Sequence, residues 1–207
     1  FSERRFGQRG CAVLDRAADS VLLPASPRER GERVEIDEWR ISLQTLLISA
    51  NLWTKLSPKE RQKVERQRYY LSAAIDVATR CFLGLRIALT ASTDLAAATL
   101  KMAVTDKTRF QLAVGATTGW YMRCGIETIA TDQGSAYINE TFHYCALAIG
   151  SMLDHPPAGL PQMRAHVERS FGTIRTRLTS RFTGQTFANV ADRGDYPAEK
   201  RASLTPD

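Results

Sequence analysis

The segment RVEIDEWRI (33–41) decides the fold, because its pattern of side chains is that of a β-strand. The apolar residues Val34 and Ile36 alternate with acidic residues, and a period of two places each set on its own face of a strand. We therefore predict a first strand that carries the acid Asp37.

Two further β-rich runs follow, YYLSAAIDVAT (69–79) and CFLGLRIALT (81–90). They are separated by a tight corner at Thr79 and Arg80. Two β-rich runs joined by so short a corner predict an antiparallel hairpin.

The next stretches alternate between helix and short strand. Asp94 can cap a helix that ends near Val104. The stretch IETIATD (126–132) predicts a short strand that ends in an acid, and residues 139–149 predict a helix. Residues 151–155 predict a short strand or turn.

The last helix is predicted from Arg164 to about Phe182, after a loop, HPPAGLPQ (155–162), that its prolines keep out of helix. Four apolar residues recur on one face of this helix: Val167, Phe171, Ile174 and Leu178. The whole order of elements mixes antiparallel and α/β connections. It predicts an α/β domain built around one central sheet.

Four segments are expected along the chain. Residues 1–30 are rich in arginine and interrupted by proline and glycine, which predicts a basic lead-in arm or linker. Residues 31–182 are expected to form the core, with an insertion over about 42–67, and residues 183–207 a C-terminal linker. The chain opens without an initiator methionine or an apolar signal segment, and we expect it to be a fragment of a longer protein.

The insertion contains SPKERQKVERQ (57–67), which predicts a short capped helix. Ser57 can cap it, Pro58 suits its first position, and Glu60 completes a capping box. This helix carries several basic residues, among them Lys59, Arg61 and Lys63. A solvated surface helix and a helix that contacts DNA both fit this pattern.

The net charge of the chain indicates which class of partner it could bind. Lysine and arginine number 28 against 22 aspartate and glutamate, which gives a formal net charge of +6. Such an excess favours a polyanionic partner, although many basic proteins bind no nucleic acid. No apolar run approaches the roughly 20 residues that a membrane span needs.

Cysteine and histidine do not follow the spacing of a metal site. The four cysteines are far apart in the sequence: Cys11, Cys81, Cys124 and Cys145. They form no Cys-x-x-Cys pair, and His143, His155 and His166 lack zinc-site spacing with them. We predict buried, reduced thiols of a cytosolic protein and no structural zinc.

Three acids stand on separate predicted elements. Asp37 lies in the first strand, Asp132 ends a later strand, and Glu168 opens the last helix. Carboxylates that converge at one sheet edge can hold divalent cations, and two such ions about 3.5–4 Å apart can activate a hydroxyl and stabilise a leaving oxygen. An acid at any one of these positions, taken alone, is usually just a surface charge. Asp76 is an alternative to Asp37, although an aspartate before a tight corner commonly bonds its own turn.

Four segments together carry a family resemblance: VEIDEW (34–39), YYLSAAIDVATRCFLGLRI (69–87), IATDQGSAYIN (129–139) and PPAGLPQMRAHVERSFGTIRTRL (156–178). They resemble the integrase catalytic core that retroviral integrases share with many bacterial transposases. Between Asp132 and Glu168 stand 35 residues, the spacing that gives this family its name. The resemblance covers about residues 33–181. It implies an RNase H-like fold, with a five-stranded mixed sheet and helices on both faces.

The resemblance also implies roles for single residues. Asp37, Asp132 and Glu168 would be the catalytic and metal-binding acids of a DDE-type polynucleotidyl transferase. They would hold two Mg²⁺ ions, with Mn²⁺ as a substitute. DNA contacts would come from basic residues near the glutamate and in the insertion: Arg164, His166, Arg169, Arg175, Lys59, Arg61 and Lys63. For each of these basic residues, simple surface solvation is an equal alternative.

The implied activity is cleavage at the 3′ end of a mobile element and strand transfer to a target, which is DNA transposition. The partners would be transposon-end DNA, target DNA, further copies of the chain on paired ends, and an ATPase that selects the target. The insertion and the C-terminal tail resemble the phage Mu type of bacterial transposase, which would act at the nucleoid in the cytoplasm. Gln133 departs from the asparagine common in the family. Two alternatives stay open: an RNase H-like nuclease that only hydrolyses, and a non-catalytic DNA-binding relative.

Overall fold

The computed structural model describes residues 29–157, 161–187, 191 and 194–206. Most of the predicted lead-in arm, and Cys11 within it, lie outside the described residues. The described strands are β1 (Arg33–Arg40), β2 (Thr45–Leu46), β3 (Arg66–Gln67), β4 (Tyr70–Asp76), β5 (Phe82–Ala88), β6 (Thr128–Ala130) and β7 (Met152–Asp154). The described α-helices are α1 (Ala50–Lys55), α2 (Pro58–Lys63), α3 (Thr93–Val104), α4 (Thr108–Ala113), α5 (Glu140–Ala148) and α6 (Ala165–Arg177).

Five of the strands form the central sheet, in the order β5-β4-β1-β6-β7. Strand β1 pairs with β4 antiparallel and with β6 parallel, and β6 pairs with β7 parallel. The predicted α/β fold, with a five-stranded mixed sheet flanked by helices, is confirmed. The remaining strands, β2 and β3, pair with each other inside the insertion.

The two faces of the sheet pack against different helices. Val34 and Ile36 of β1 face the cluster that contains Leu100 of α3 and Phe142 of α5. The opposite face packs against α6 through its buried residue Val167. Because successive strand residues point to opposite faces, the acids Glu35 and Asp37 lie on the α6 side.

The predicted hairpin is confirmed as the antiparallel pair β4 and β5. Its corner contains Arg80 with φ of 64°, a left-handed conformation. The Asp76 carboxylate accepts from the Thr79 N–H at 2.9 Å, the Thr79 hydroxyl at 2.5 Å and the Gly31 N–H at 2.9 Å. Asp76 therefore bonds its own turn and pairs with Val34, near the start of β1.

Two helix ends differ from the sequence prediction. Helix α3 is capped by Ser92, whose Oγ accepts from the Leu95 N–H at 3.2 Å, while Asp94 lies within the first turn. Helix α6 ends at Arg177, and a 3-10 turn follows over Thr179–Arg181. Here the Thr179 hydroxyl bonds a carbonyl four residues back, which competes with regular helix.

Because α6 ends at Arg177, the last residue of the predicted apolar stripe lies beyond the helix. Val167 and Phe171 are buried as predicted, but Leu178 is 51% exposed. In the insertion, the predicted capping box of α2 is confirmed, with Ser57 and Glu60 each bonding the other's backbone N–H.

The residues after α6 contact the insertion. Gln185 forms an antiparallel bridge with Leu43, and Leu204 forms a parallel bridge with Thr45. Of the described residues, Cys81, Cys124 and Cys145 are half-buried free thiols. Within the same part of the chain, no helix combines the length and apolarity of a membrane span.

Candidate active site

Asp37 and Asp132 lie at the same edge of the sheet because of the register between two parallel strands. The last paired residues of β1 and β6 are Glu35 and Ala130. Each aspartate comes two positions after its member of that pair. The carboxyl ends of parallel strands are where ligands commonly bind in open α/β sheets.

Glu168 reaches this edge from the first turn of α6, directly after the buried residue Val167. The pKa of Asp37 is raised to about 6, mainly by burial and also by the negative charges of Asp132 and Glu168. The backbone N–H of Glu38 and the guanidinium of Arg164 act in the opposite direction. The structure therefore brings Asp132 and Glu168 each within electrostatic range of Asp37.

Each aspartate is oriented by a backbone N–H from its own loop or strand. Asp37 Oδ1 accepts from the Glu38 N–H at 2.7 Å, and Asp132 Oδ1 accepts from the Gly134 N–H at 2.8 Å. A Cβ on Gly134 would lie 2.8 Å from that same oxygen, so a glycine here leaves room for the carboxylate. The second oxygen of Asp37, Oδ2, accepts from Arg164 Nη1 at 3.0 Å.

The arrangement stops short of a closed metal cage. Across the described ranges, no three His, Cys, Asp or Glu side chains are grouped as ligands of one ion. The Arg164 guanidinium supplies positive charge to Asp37. The predicted acids thus lie at one edge of the sheet, and the side chain of Arg164 is bonded to one of them, Asp37.

Glu38 is a fourth acid at this edge, and it is not among the acids predicted from the sequence. It lines a cleft of about 530 Å³ together with Asp37, Asp132 and Tyr137. The pKa of Glu38 is raised to about 7, mainly by burial and also by the negative charges of Asp37 and Asp132. Its Oε1 is buried without a hydrogen-bond partner among the described residues. Because successive strand residues point to opposite faces, the side chains of Asp37 and Glu38 leave β1 on different sides. Both nevertheless line the same cleft, because this cleft lies at the end of the strand.

Glu35 is a buried acid whose partners lie on α6. It is 2% exposed, and its Oε2 accepts from the backbone N–H of His166 at 2.9 Å and of Val167 at 2.8 Å. Burial raises the pKa of Glu35 to about 7. The period of two places Glu35 on the same face as Asp37, but no local signal indicates that a helix more than 100 residues away begins there.

The predicted DNA-contacting residues divide into three groups. Arg164 is bound to Asp37, and the ring of His166 contacts the Arg80 guanidinium. Arg61 lies over the Trp53 ring at 5.2 Å. The remaining predicted basic residues are exposed on α6 or α2: Arg169, Arg175, Lys59 and Lys63.

Two solved structures of viral proteins are similar to this chain. One is a chain of the cryo-EM structure of the simian T-cell lymphotropic virus intasome in complex with PP2A regulatory subunit B56 gamma, with 14% identity and a TM-score of 0.48. That match covers 86% of this chain and 50% of the other, so this chain spans about half its length. The other is the HTLV-2 integrase catalytic core domain in complex with magnesium, in its dimeric form, with 12% identity, a TM-score of 0.43 and coverage of 83% and 82%.

Comparison with curated proteins gave no match. The sequence profile of one family, described as the TnsB C-terminal domain, matches residues 52–184. The matched segment includes Asp132 and Glu168 and begins after the strand that carries Asp37. Since it spans more than half of the sequence, the chain belongs to this transposase-related family of TnsB C-terminal domains.

Proposed function

We propose that this chain is the catalytic core of a DNA transposase or integrase, which cleaves the 3′ end of an element and joins it to target DNA. One observation carries the proposal: Asp37 and Asp132 each stand two positions after the last paired residues of β1 and β6, and Asp37 lies within electrostatic range of both Asp132 and Glu168. Membership of a transposase-related family supports the DNA substrate. The net charge of +6 suits a polyanion.

The donor atoms fit divalent metal ions in their chemistry. Asp37, Asp132 and Glu168 offer only carboxylate oxygens, which Mg²⁺ and Mn²⁺ prefer. Because Asp132 and Glu168 raise the pKa of Asp37, a cation among the three would relieve their mutual repulsion. When bound, two such ions would activate the attacking oxygen and stabilise the leaving oxygen.

The chain's own residues would orient the site and bind the substrate. The Glu38 and Gly134 N–H groups hold one oxygen of Asp37 and one of Asp132, which fixes the direction of each carboxylate. Arg164 would leave Asp37 as the cation enters, and its guanidinium suits a phosphate of the DNA. The exposed Arg169 and Arg175 would neutralise further phosphates, so DNA binding should weaken steeply as salt increases.

The proposal includes the finer expectations drawn from the resemblance. The enzyme would be of the phage Mu type, with a core over residues 31–182, a basic arm before it and a linker after it. It would act in the bacterial cytoplasm as a homo-oligomer on paired transposon ends, with target DNA and a target-selecting ATPase as partners. The segment boundaries rest on the sequence pattern, and the other expectations rest on the resemblance.

The test measures cutting and joining of a labelled duplex that carries the element's terminal sequence, with Mg²⁺ or Mn²⁺. The unmutated protein should produce cut and joined DNA, whereas Asp132→Asn and Glu168→Gln should produce neither. The control variant is Glu140→Gln, which changes an exposed glutamate in the first turn of α5 and should remain active.

Other results would assign the chain differently. Cut DNA without joined product would indicate a nuclease that only hydrolyses. A protein that binds the duplex but cuts nothing would be a non-catalytic relative. Equal activity of all variants would mean that the acids are not the site.

A further inference from the structure

We infer that Glu35 is a positioning residue for this site: its carboxylate caps α6 from the neighbouring strand and so fixes Glu168 relative to Asp37. The inference rests on the proposed function, because it assigns a role to Glu35 at the same acids. Glu35 touches neither substrate nor metal in this role. It acts through the helix that carries Glu168.

The start of α6 depends on Glu35 because it has no cap of its own. Its N-cap residue, Arg164, makes no side-chain hydrogen bond to the first turn. The first N–H groups of a helix have no partner within the helix and are usually satisfied by a nearby side chain. Here Glu35 Oε2 accepts from His166 and Val167, at 2.9 and 2.8 Å.

The Glu35 cap links the strand that carries Asp37 directly to the first turn of the helix that carries Glu168. Glu35 is two residues from Asp37 on the same face of β1, and the capped N–H of Val167 belongs to the residue directly before Glu168. A shift of the helix start would therefore move Glu168 without moving Asp37. Loss of the cap should change the separation of the acids more than it changes the rest of the fold.

A second contact holds α6 against the sheet further along the helix. Trp39, the next residue on the same face of β1, stacks against Phe171 with ring centres 5.8 Å apart. With that stack intact, α6 would stay on the sheet when Glu35 is replaced. Its first turn, which carries Glu168, would be the part released.

Burial of a carboxylate also argues for a specific role at this position. An acid that is 2% exposed loses its hydration, which is unfavourable unless charges and N–H donors replace the water. Arg33, Arg80 and Arg164 all lie close enough to Glu35 to interact with its charge. The positive end of the helix dipole adds to them.

The test is Mn²⁺ affinity of the whole protein without DNA, measured by calorimetry, beside the thermal midpoint without metal. Glu35→Leu keeps a side chain of similar size but no acceptor, and should weaken Mn²⁺ binding about 10- to 100-fold, as loss of a supporting contact around a metal site does. Glu35→Gln keeps the acceptor oxygen and should recover most of the affinity. If Glu35→Leu does not fold, Glu35→Asp, which withdraws the carboxylate by one methylene, replaces it and should weaken binding in the same direction.

The matched control removes a helix cap elsewhere. Ser57→Ala breaks the capping box of α2, so it should lower the thermal midpoint and leave Mn²⁺ affinity unchanged. Unchanged affinity in Glu35→Leu, or equal loss in Glu35→Leu and Glu35→Gln, would overturn the inference. Binding that is lost in Asp132→Asn but kept in Glu35→Leu overturns the role of Glu35 alone, whereas binding unchanged in Asp132→Asn overturns the site itself.

Discussion

The Arg164 guanidinium donates to Asp37 Oδ2 across 3.0 Å, so the acid of the first strand is neutralised by the residue that precedes α6. Both side chains are mostly buried, with 19% and 16% of their surface exposed. A cation that binds Asp37 must therefore compete with Arg164 for the same oxygen.

Replacement of Arg164 should favour the metal-bound state. Arg164→Ala is expected to lower the free energy of unfolding of the metal-free protein by about 1.5–3 kcal/mol, the usual contribution of a hydrogen bond to a charged group. The same change should tighten Mn²⁺ binding, because Asp37 no longer has a competing partner. Denaturant unfolding and calorimetric titration measure the two effects. Arg169→Ala, which removes an exposed arginine of α6, should change neither quantity, and weaker Mn²⁺ binding in Arg164→Ala would contradict the competition.

Gly134 leaves the space that the Asp132 carboxylate occupies. In Gly134→Ala the new Cβ would lie 2.8 Å from Asp132 Oδ1 and 3.4 Å from its Cγ, so the carboxylate must turn away. Mn²⁺ affinity should fall about tenfold or more, as for other disturbed ligand supports. Stability should fall by no more than about 1.5 kcal/mol, the contribution of one hydrogen bond.

Gly172→Ala is the control for that substitution. A Cβ on this helical glycine would have no heavy atom within 4 Å outside its own helix, and alanine in a helix is favoured by about 0.5–1 kcal/mol. This variant should be slightly more stable and bind Mn²⁺ unchanged. Equal Mn²⁺ affinity in both glycine variants would show that Asp132 does not depend on Gly134.

The parts of the fold that the sequence predicted are those with a local signal. The strand that carries Asp37 has a period of two, and the hairpin has two β-rich runs and a tight corner. The cap at Ser92 was missed because Asp94, two residues later, is an equally good capping residue by type. Which of these two nearby residues caps the helix depends on how the helix packs into the core. A local sequence pattern does not contain that information.

The contacts of the candidate site that the sequence did not predict are those between segments far apart in the chain. Glu35 is 132 positions from Val167 in the sequence, and Arg164 is 127 positions from Asp37. Neither pairing follows from residue type or spacing, because each depends on where α6 begins relative to β1. The alternation of the strand did predict that Glu35 and Asp37 share a face, and Trp39 lies on that face as well.

Gly84 allows β5 to approach α3 closely. A Cβ at this position would lie 2.6 Å from the Thr99 carbonyl oxygen and 3.3 Å from the Ala103 nitrogen, both backbone atoms. Gly84→Ala should therefore push the strand from the helix and lower the free energy of unfolding by about 1–3 kcal/mol, as overpacked cores do. Gly125→Ala, where a Cβ meets nothing within 4 Å, should change stability by less than about 0.5 kcal/mol. Chemical denaturation compares the two, and equal stabilities would rule out a close approach at Gly84.

Lys107 is a fully buried lysine, and it bonds the end of α3. Its Nζ donates to the Met102 carbonyl at 2.9 Å and the Thr105 carbonyl at 3.0 Å, and it lies 5.7 Å from the centre of the Trp120 ring. Lys107→Met keeps much of the length but removes the donor, so the free energy of unfolding should fall by about 1–3 kcal/mol at neutral pH. Lys101→Met, at an exposed position of the same helix, should change it by less than about 0.5 kcal/mol.

The pH dependence of that loss tests the buried charge. Burial lowers the pKa of Lys107 below its usual range, so in the interval between the two values the unfolded chain binds more protons than the folded chain. The free energy of unfolding of the unmutated protein should then rise with pH in this alkaline interval relative to that of Lys107→Met, which does not titrate there. The gap between the two proteins should widen as the pH rises from the folded pKa to the unfolded pKa of Lys107, and should be constant below and above that interval. A gap that stays constant, or shrinks as the pH increases, would mean that Lys107 is not desolvated in the folded protein.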